Sequence, residues 1–266
     1  MRSIIALIRV SWLTHTSYRM NVVFSILALG ALFVPVYLVS RALQPVVAES
    51  IADEGAVYFG FLITGMAVMQ MIGVSMRGLP NSVSSGISSG TLEALFATPT
   101  PLPQLLAGMV GYGLLWAILR GLLLLLGFAI VGGTLAVQSI PLAGVILVLL
   151  VLAHFPIGII AASMILIFRT AGPFVAGVMA ASSLLGGVYY STSVIPDVVQ
   201  PLAAFVPLTY GLRAFRRTLL SGEPLSVVAG DVTVLAGFTI VLLVVSLLLF
   251  GWSLRYAQRA GSLAQY

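Results

Sequence analysis

Long apolar runs dominate the chain, and short polar or proline-rich stretches separate them. A bilayer core of about 30 Å is crossed by about 20 apolar residues in a helix, whereas a β-barrel strand alternates apolar and polar residues over about 10 positions. The runs do not alternate, as Leu122–Leu126 illustrates. The pattern therefore predicts an all-α, polytopic membrane protein that forms a single transmembrane domain over residues 1–266. The six predicted transmembrane helices are Val22–Val39, Val57–Met76, Leu105–Val131, Leu142–Phe168, Pro173–Tyr190 and Val232–Trp252.

The composition excludes several classes of protein. Of the 266 residues, 60% are hydrophobic and 7% are charged, whereas a soluble domain carries about 25% charged residues. The chain is therefore neither soluble, nor disordered, nor a nucleic-acid binder, in spite of a pI of about 9.9. It has no cysteine, which excludes disulfides and cysteine-ligated metals. It also has no lysine, and a Walker A phosphate loop requires one, so the chain does not bind ATP in that way.

The arginines are unevenly distributed between the two sides that six crossings would create. The side of both termini holds seven arginines and one acid, Glu93, whereas the other side holds four arginines and six acids. Basic loops stay in the cytoplasm. We therefore expect a multi-pass protein of the cell inner (plasma) membrane with both termini in the cytoplasm.

Residues 2–18 precede the first predicted crossing. Arg2 and Arg9 share one helical face, and Ile8 and Trp12 lie on roughly the opposite one. This pattern favours an N-terminal interfacial helix at the headgroup level over a simple extension of the first crossing.

A cytoplasmic loop over Arg77–Gln104 contains a short predicted helix, Thr91–Ala97. Its apolar positions fall at i, i+3 and i+4 and form one stripe, and prolines end the helix after it. Such a helix suits docking into a groove on a soluble partner, and the alternative is that it lies on the lipid surface. The stripe is formed by Leu92, Leu95 and Phe96.

An external stretch over Ser191–Glu223 is too apolar for an ordinary loop, yet Pro196, Pro201 and Pro207 prevent one straight spanning helix. Two short helices that dip into the outer leaflet as a re-entrant hairpin fit it best. Non-helical backbone at that depth is surrounded by protein or water, so the hairpin is expected to cap a pathway. Three arginines at i, i+3 and i+4 share a face suited to outer headgroups: Arg213, Arg216 and Arg217.

Together the two loops resemble the membrane subunit of type-2 ABC exporters. The cytoplasmic signature reads Gly90-Thr91-Leu92-Glu93, followed by Thr98-Pro99. The external signature reads Gly187-Val188-Tyr189-Tyr190, followed by Pro207-Leu208-Thr209-Tyr210 and Arg213. The order of the motifs and the number of crossings also match over essentially the whole chain. One departure is that Ser82–Ser89, just before the first motif, carries no charge where the family usually has a charge-rich run.

The resemblance implies two membrane subunits, as a homodimer or heterodimer, with ATPase subunits, two copies expected, that bind ATP and Mg²⁺ while this chain binds no cofactor. It implies that a cytoplasmic coupling helix contacts the ATPase through Gly90, Thr91, Leu92, Glu93, Leu95, Phe96, Thr98 and Pro99. It implies that the external hairpin acts through Pro196, Pro207, Tyr210 and Arg213. The small-residue face Gly172, Ala176 and Ala180 permits close helix approach, and the resemblance favours a dimer contact there over packing within the monomer.

Ionisable residues inside membrane helices are costly and often functional. Arg120 and His154 lie in predicted crossings, and together with Tyr189 and Tyr190 they are candidates for a translocation path. The alternatives are that Arg120 snorkels toward the interface and that His154 bonds a carbonyl beside Pro156. Gly86–Gly90 matches the G-x-S-x-G motif of hydrolases, but the chain has no room for the α/β sheet which that motif requires. The two histidines form no metal motif.

We therefore predict a permease subunit, not an enzyme itself, that exports a lipophilic or amphiphilic substrate such as a drug-like compound or lipid. The near absence of charge along the crossings favours such cargo. Export of a polysaccharide or lipid-linked glycan by the same class of permease is an alternative. An ATPase-independent secondary transporter is an alternative from another class, although it would usually carry acids inside its crossings.

Overall fold

The computed structural model describes residues 19–259 apart from residues 56 and 99. The predicted interfacial helix over residues 2–18 lies outside this described part. The described residues form α-helices, short 3-10 turns and loops, without a β-strand, which confirms the all-α prediction. The helices are α1 (Arg19–Val47), α2 (Tyr58–Ser88), α3 (Leu92–Phe96), α4 (Leu102–Ile130), α5 (Ile140–Phe168), α6 (Gly172–Leu185), α7 (Gln200–Ala203), α8 (Pro207–Ser221) and α9 (Leu225–Arg259).

Five of the described helices are long and apolar enough to cross a bilayer: α1, α2, α4, α5 and α9. The chain is therefore a multi-pass membrane protein. The remaining predicted crossing, Pro173–Tyr190, contains only the 14-residue helix α6. At 1.5 Å per residue this helix is about 21 Å long, short of a bilayer core. It ends because Gly187 adopts a left-handed φ of +75° and turns the chain, so the apolar run continues beyond the helix itself.

Helices α2 and α5 form the centre of the bundle. In their most apolar windows 72% and 56% of residues are buried, against 6% in α1 and 11% in α9. The two central helices approach closely, since a Cβ at Gly158 would lie 2.5 Å from the Ser75 carbonyl oxygen. The Ser75 hydroxyl donates to the Val151 carbonyl at 3.1 Å. The outer helices α1, α4 and α9 expose large apolar side chains, as lipid-facing helices do.

Helix α8 covers one end of this bundle, where it packs against α2, α5 and α9. We call this the hairpin end, and we call the opposite end, where α3 lies, the α3 end. Leu208 and Leu212 of α8 are fully buried, and Gly211 allows the backbone of α8 to approach Leu150 closely. The proline-rich stretch forms the helices α7 and α8, and their insertion into the outer leaflet as a re-entrant hairpin stays a prediction.

Candidate functional site

Arg216 of α8 is the largest fully buried side chain among the described residues. Its Nη1 donates to Glu54 Oε2 at 2.9 Å and to the Gly187 carbonyl at 2.7 Å. Its Nη2 donates to the Val188 carbonyl at 3.1 Å. One guanidinium therefore joins α8 to the turn after α6 and to the 3-10 turn Ala52–Glu54 that precedes α2.

The same guanidinium also binds the first turns of α2. Its Nη2 donates to the Phe61 carbonyl at 2.8 Å and its Nε to the Thr64 hydroxyl at 3.3 Å. Its central carbon lies 3.3 Å from the centroid of the Phe61 ring, within cation–π range. This approach needs a glycine at position 65, because a Cβ there would lie 2.6 Å from the Val188 carbonyl oxygen and 2.9 Å from Arg216 Nη2. We call Arg216, Glu54 and these acceptors the Arg216 network.

Burial disfavours the charged form of Arg216 and lowers its pKa to about 10, although the neighbouring Glu54 carboxylate acts in the opposite direction. The guanidinium therefore still carries its charge at neutral pH. A buried ion pair needs good geometry and further hydrogen bonds to offset its desolvation. The carbonyls of Phe61, Gly187 and Val188 supply those bonds.

The expectation that three arginines of the hairpin face outer headgroups is wrong for Arg216, which is buried. The other two are partly exposed, and each is paired with a carboxylate. Arg213 forms a two-pronged ion pair with Asp231, and its Nε lies 2.9 Å from Oδ2; this hydrogen bond raises the pKa of Arg213. Arg217 pairs with Glu223 at 2.6 Å. The sequence pattern placed Glu223 and Asp231 on the same side of the membrane as these arginines, which was the available signal. Sequence spacing does not show which acid pairs with which arginine.

The other predicted hairpin residues differ in burial and in contacts. Pro207 is buried at the start of α8, and Pro196 is exposed. The Tyr210 hydroxyl donates to the Ala204 carbonyl at 3.1 Å, and the Arg213 guanidinium lies 5.7 Å from the centroid of the Tyr210 ring.

A groove runs along α2 beside α6. Its part nearer the hairpin end is a cavity of about 480 Å³, and its part nearer the α3 end is a cavity of about 340 Å³. Arg77 and Asn81 line both cavities, so the two adjoin, and we call them together the α2–α6 groove. The first cavity is lined by Met66, Met69, Gln70, Gly73, Val74, Arg77, Gly78, Asn81, Met179, Val188 and Tyr189.

Sequence reasoning missed the α2 side of this groove. The lining positions 66, 70, 73, 77 and 81 recur at helical spacing along one face of α2, which is the signal that was available. A third cavity of about 540 Å³ lies at the hairpin end, and Asp53, Glu54, Arg213, Arg217 and Asp231 are among its lining residues.

Of the four predicted path residues, Tyr189 lines the groove, while Tyr190, Arg120 and His154 line none of these three cavities. His154 is fully buried, and its Nδ1 lies 2.8 Å from the Leu150 carbonyl, one turn earlier in α5. Arg120 is half-buried on α4, and its Nε has no hydrogen-bond partner in the described part of the chain. The geometry of His154 matches the structural alternative, a hydrogen bond to a neighbouring carbonyl.

The short helix predicted in the Arg77–Gln104 loop forms as α3, over Leu92–Phe96. Gly90 precedes it with a left-handed φ of +66°, and the Thr91 amide donates to the Gly86 carbonyl at 3.0 Å. Leu92 is 1% exposed and packs against Gly86 of α2, which corrects the expectation of a stripe facing outward as a unit. Leu95 is only partly buried. The side chains of Glu93 and Phe96, and all of Pro99, lie outside the described part, and Thr98 donates to the Leu95 carbonyl.

The small-residue face of α6 is exposed. Gly172, Ala176 and Ala180 all lie on the surface, and a Cβ at Gly172 or Gly177 would meet no atom within 4 Å. The described part of the chain does not cover this face.

Comparison with known proteins identifies the class of this membrane protein. The family model for the ABC-2 type transporter matches residues 1–220. The chain belongs to the ABC-2 type transporter family. It is also 24% identical over 202 residues to the inner membrane transport permease YadH of Escherichia coli strain K12, which covers 76% of each chain. The YadH permeases of Escherichia coli O157:H7 and Shigella flexneri match to the same extent. As a permease-type subunit of this family, the chain is a transporter component and not itself the catalyst.

Proposed function

We propose that this chain is the membrane subunit of an ATP-driven exporter of the inner membrane, and that it moves an amphiphilic or lipophilic substrate outward. Membership of the ABC-2 family supports this proposal, as does the inner-membrane transport permease of Escherichia coli that resembles the chain. The observation that carries it furthest is the continuous helix α2. This helix extends from the Arg216 network at one end of the bundle to the packed helix α3 at the other.

The proposed topology has six crossings, with both termini in the cytoplasm and the hairpin end outside. Helix α6 supports an even number of crossings, because its two ends lie near opposite ends of the bundle. At its start Gly172 lines a cavity with Ser84, near the end of α2. At its end the Leu185 carbonyl accepts a bond from Thr209 of α8. The short helix and the turn after it would then complete the fifth crossing under the cover of α8.

The proposed mechanism is alternating access between two permease subunits. A partner ATPase that closes on ATP would displace α3, and α3 is joined to α2 through buried Leu92. Because α2 is one continuous helix of 31 residues, with Pro80 inside it, its displacement would reach both the α2–α6 groove and the Arg216 network. The exposed small-residue face of α6 borders this groove and fits the contact with a second permease subunit.

The residues that line the groove fit an amphiphilic cargo. Met66, Met69 and Met179 offer adaptable apolar contacts near the hairpin end, whereas Arg77 and Asn81 offer polar contacts nearer the α3 end. These lining residues include no carboxylate, whereas an ion-coupled secondary transporter usually has acids in its path.

The first experiment tests coupling. The purified permease alone should neither bind nor hydrolyse ATP, whereas its complex with a partner ATPase should do both. Leu95→Asp should place an unpaired charge at the contact with the ATPase and reduce both export and the stimulation of the ATPase. Leu92→Ala is the control, because it weakens packing inside the permease without adding a charge at the contact with the ATPase. Comparing the two variants separates loss of the ATPase contact from loss of permease structure. A Leu95→Asp permease that inserts and still exports normally would exclude α3 as the coupling element.

The second experiment tests topology and uses the absence of cysteine in the chain. A cysteine at Asp197, exposed in the hairpin, should react with an impermeant thiol reagent added to intact cells. A cysteine at Ser85, exposed near the end of α2, should react only after permeabilisation. The reverse pattern would overturn the proposed orientation.

A further inference from the structure

Two arginines from different parts of the fold line the same cavity at the α3 end. Arg77 comes from α2, and Arg169 comes from the corner between α5 and α6. Asn81, Ser84 and Thr170 add polar groups to the lining of this cavity of about 340 Å³. A concave site in which several polar groups converge is the usual form of a ligand site.

Both arginines are exposed and lack an ion-pair partner among the described side chains. The same chain pairs Arg213, Arg216 and Arg217 with carboxylates at the hairpin end. The α3 end therefore presents two cationic groups to one cavity whose described lining contains no acid to neutralise them.

The backbone at Arg169 also points to a role for its side chain. This residue ends α5 in the left-handed region, with φ +59°, and its amide donates to the Ile165 carbonyl at 2.9 Å. Glycine is the usual residue at such a helix end, because a side chain is sterically disfavoured in the left-handed region. Arg169 is the one described residue other than glycine with a positive φ. An arginine in this position places a guanidinium at the cavity at some cost in stability.

Helix α6 adds to the positive potential of the cavity. Ala171 and Gly172, at its start, line the cavity. The first amides of a helix lack partners within the helix, although Pro173, the second residue here, contributes none. The start of a helix carries a partial positive charge that favours anions. Two guanidinium groups beside such a helix start form a site suited to phosphate, which arginine binds through paired hydrogen bonds.

We propose that this cavity binds the phosphate headgroup of an amphiphilic substrate, whose apolar part then lies along the methionine-lined part of the α2–α6 groove. The inference rests on the proposed function and specifies its substrate class: an amphiphile with a phosphate-bearing headgroup. Arg77 borders both cavities, so it lies at the junction between headgroup and apolar part. Binding at this place would hold the substrate at the cytoplasmic mouth before the groove opens outward.

The test measures binding to the full-length permease, purified without its ATPase in an uncharged detergent. The probes are dioctanoyl phosphatidate, dioctanoylglycerol, which lacks the phosphate, and inorganic phosphate, each titrated by native mass spectrometry. Dioctanoyl phosphatidate should bind more tightly than either of the other two. Equal binding of dioctanoylglycerol would show that the headgroup is not recognised. Equal binding of inorganic phosphate would show a site for the free anion. Either result overturns the proposal.

The variants test the two arginines separately. Arg77→Gln and Arg169→Gly should each weaken phosphatidate binding on the order of tenfold, because each removes a charged hydrogen-bond donor. Arg169→Gly is chosen because glycine accepts the left-handed backbone, so weaker binding would not reflect misfolding. Arg255→Gln is the matched control, since Arg255 is exposed on α9 toward the α3 end and lines none of the three cavities.

Two outcomes with these variants would overturn the proposal: unchanged binding in both arginine variants, or an equal loss in the Arg255→Gln control, which would indicate a general attraction of anionic lipid to a basic surface. The binding assay needs neither ATP nor transport. A failure here, combined with a normal response of the ATPase complex, would reject the headgroup site and leave the exporter proposal standing.

Discussion

The arginines near the two ends of α2 have opposite surroundings. At the hairpin end Arg216 is buried and donates five hydrogen bonds, and Arg213 and Arg217 have carboxylate partners. At the α3 end Arg77 and Arg169 are exposed and line a cavity. Neither arginine has an ion-pair partner among the described side chains. Helix α2 therefore connects an end where carboxylates neutralise the arginines to an end where the arginines have no described carboxylate partner.

This difference indicates a difference in role. A buried charge whose hydrogen bonds are all made fixes the elements around it, because any displacement leaves a desolvated group without a partner. An unpaired cation at a cavity is available to a ligand from outside the chain. The hairpin end is accordingly the part of the fold that resists opening, and under the proposed function the α3 end receives the substrate and the partner. The proposed outward opening at the hairpin end would then need free energy from ATP hydrolysis to break the Arg216 network.

The largest effect should follow from removing the acid of the Arg216 network. Glu54→Leu leaves the Arg216 charge buried with only neutral acceptors, and breaking a buried pair in this way costs about 3–5 kcal/mol. The thermal midpoint of the purified permease should therefore fall steeply. The double variant Glu54→Leu with Arg216→Met removes both charges and should recover part of the loss. A single variant as stable as the parent would contradict the fixed role of the hairpin end.

A smaller loss is expected where the network needs close backbone approach. Gly65→Ala would place a methyl group 2.6 Å from the Val188 carbonyl oxygen and 2.9 Å from Arg216, and such overpacking costs about 1–3 kcal/mol. Gly73→Ala, two turns farther along α2, is the control, because its methyl group would meet only the flexible end of Met179 at 3.4 Å. Thermal unfolding of the two variants side by side checks the difference. Equal midpoints would show that the contact at Gly65 yields without cost.

Much of the fold was predictable because lipid imposes a simple rule on the sequence. Helices that cross a bilayer bury their own backbone polar groups, so the apolar parts of α1, α2, α4, α5 and α9 were evident from their length. The bounds were not: α2 continues as a helix to Ser88, through residues that were predicted as the start of the loop after Met76. The absence of one long helix between Ser191 and Glu223 was predictable from Pro196, Pro201 and Pro207. The end of α6 was not, because apolar residues continue past Gly187 and only the three-dimensional turn shows where the helix stops.

The site was less predictable, because partners far apart in sequence decide it. Arg216 meets Glu54, 162 positions away, and no local pattern distinguishes it from Arg213 or Arg217. His154 was selected because an ionisable group inside a crossing is costly, yet a carbonyl in its own helix accepts its bond. Leu92 and Leu95 share an apolar stripe in the sequence, but only the structure shows that Leu92 is buried against α2.

At the α3 end, removing an arginine should not lower stability, in contrast to the loss expected from breaking the Arg216 network. Arg169→Gly replaces a left-handed arginine that has no described ion-pair partner, and glycine adopts that backbone without the steric cost. We expect the variant to be as stable as the parent or more stable by about 0.5–1 kcal/mol, measured as a thermal midpoint without added lipid. A marked loss of stability would show that Arg169 has a structural role, and the contrast between the two ends would fail.

The smallest effect should come from the pair Arg217 and Glu223, which lies in the same hairpin as Arg216 but is partly exposed, with 26% and 27% of the side chains accessible. Arg217 Nε and Glu223 Oε2 are 2.6 Å apart, but their angle is not that of a hydrogen bond. Ion pairs between partly exposed side chains contribute about 0–1 kcal/mol, because solvent screens the attraction and two long side chains lose freedom. Arg217→Gln should therefore shift the thermal midpoint slightly, and high salt should reduce even that shift. A double-mutant cycle with Glu223→Gln measures the pair directly. A coupling as large as that between Arg216 and Glu54 would mean that burial is not what distinguishes the fixed arginine from its neighbour in α8.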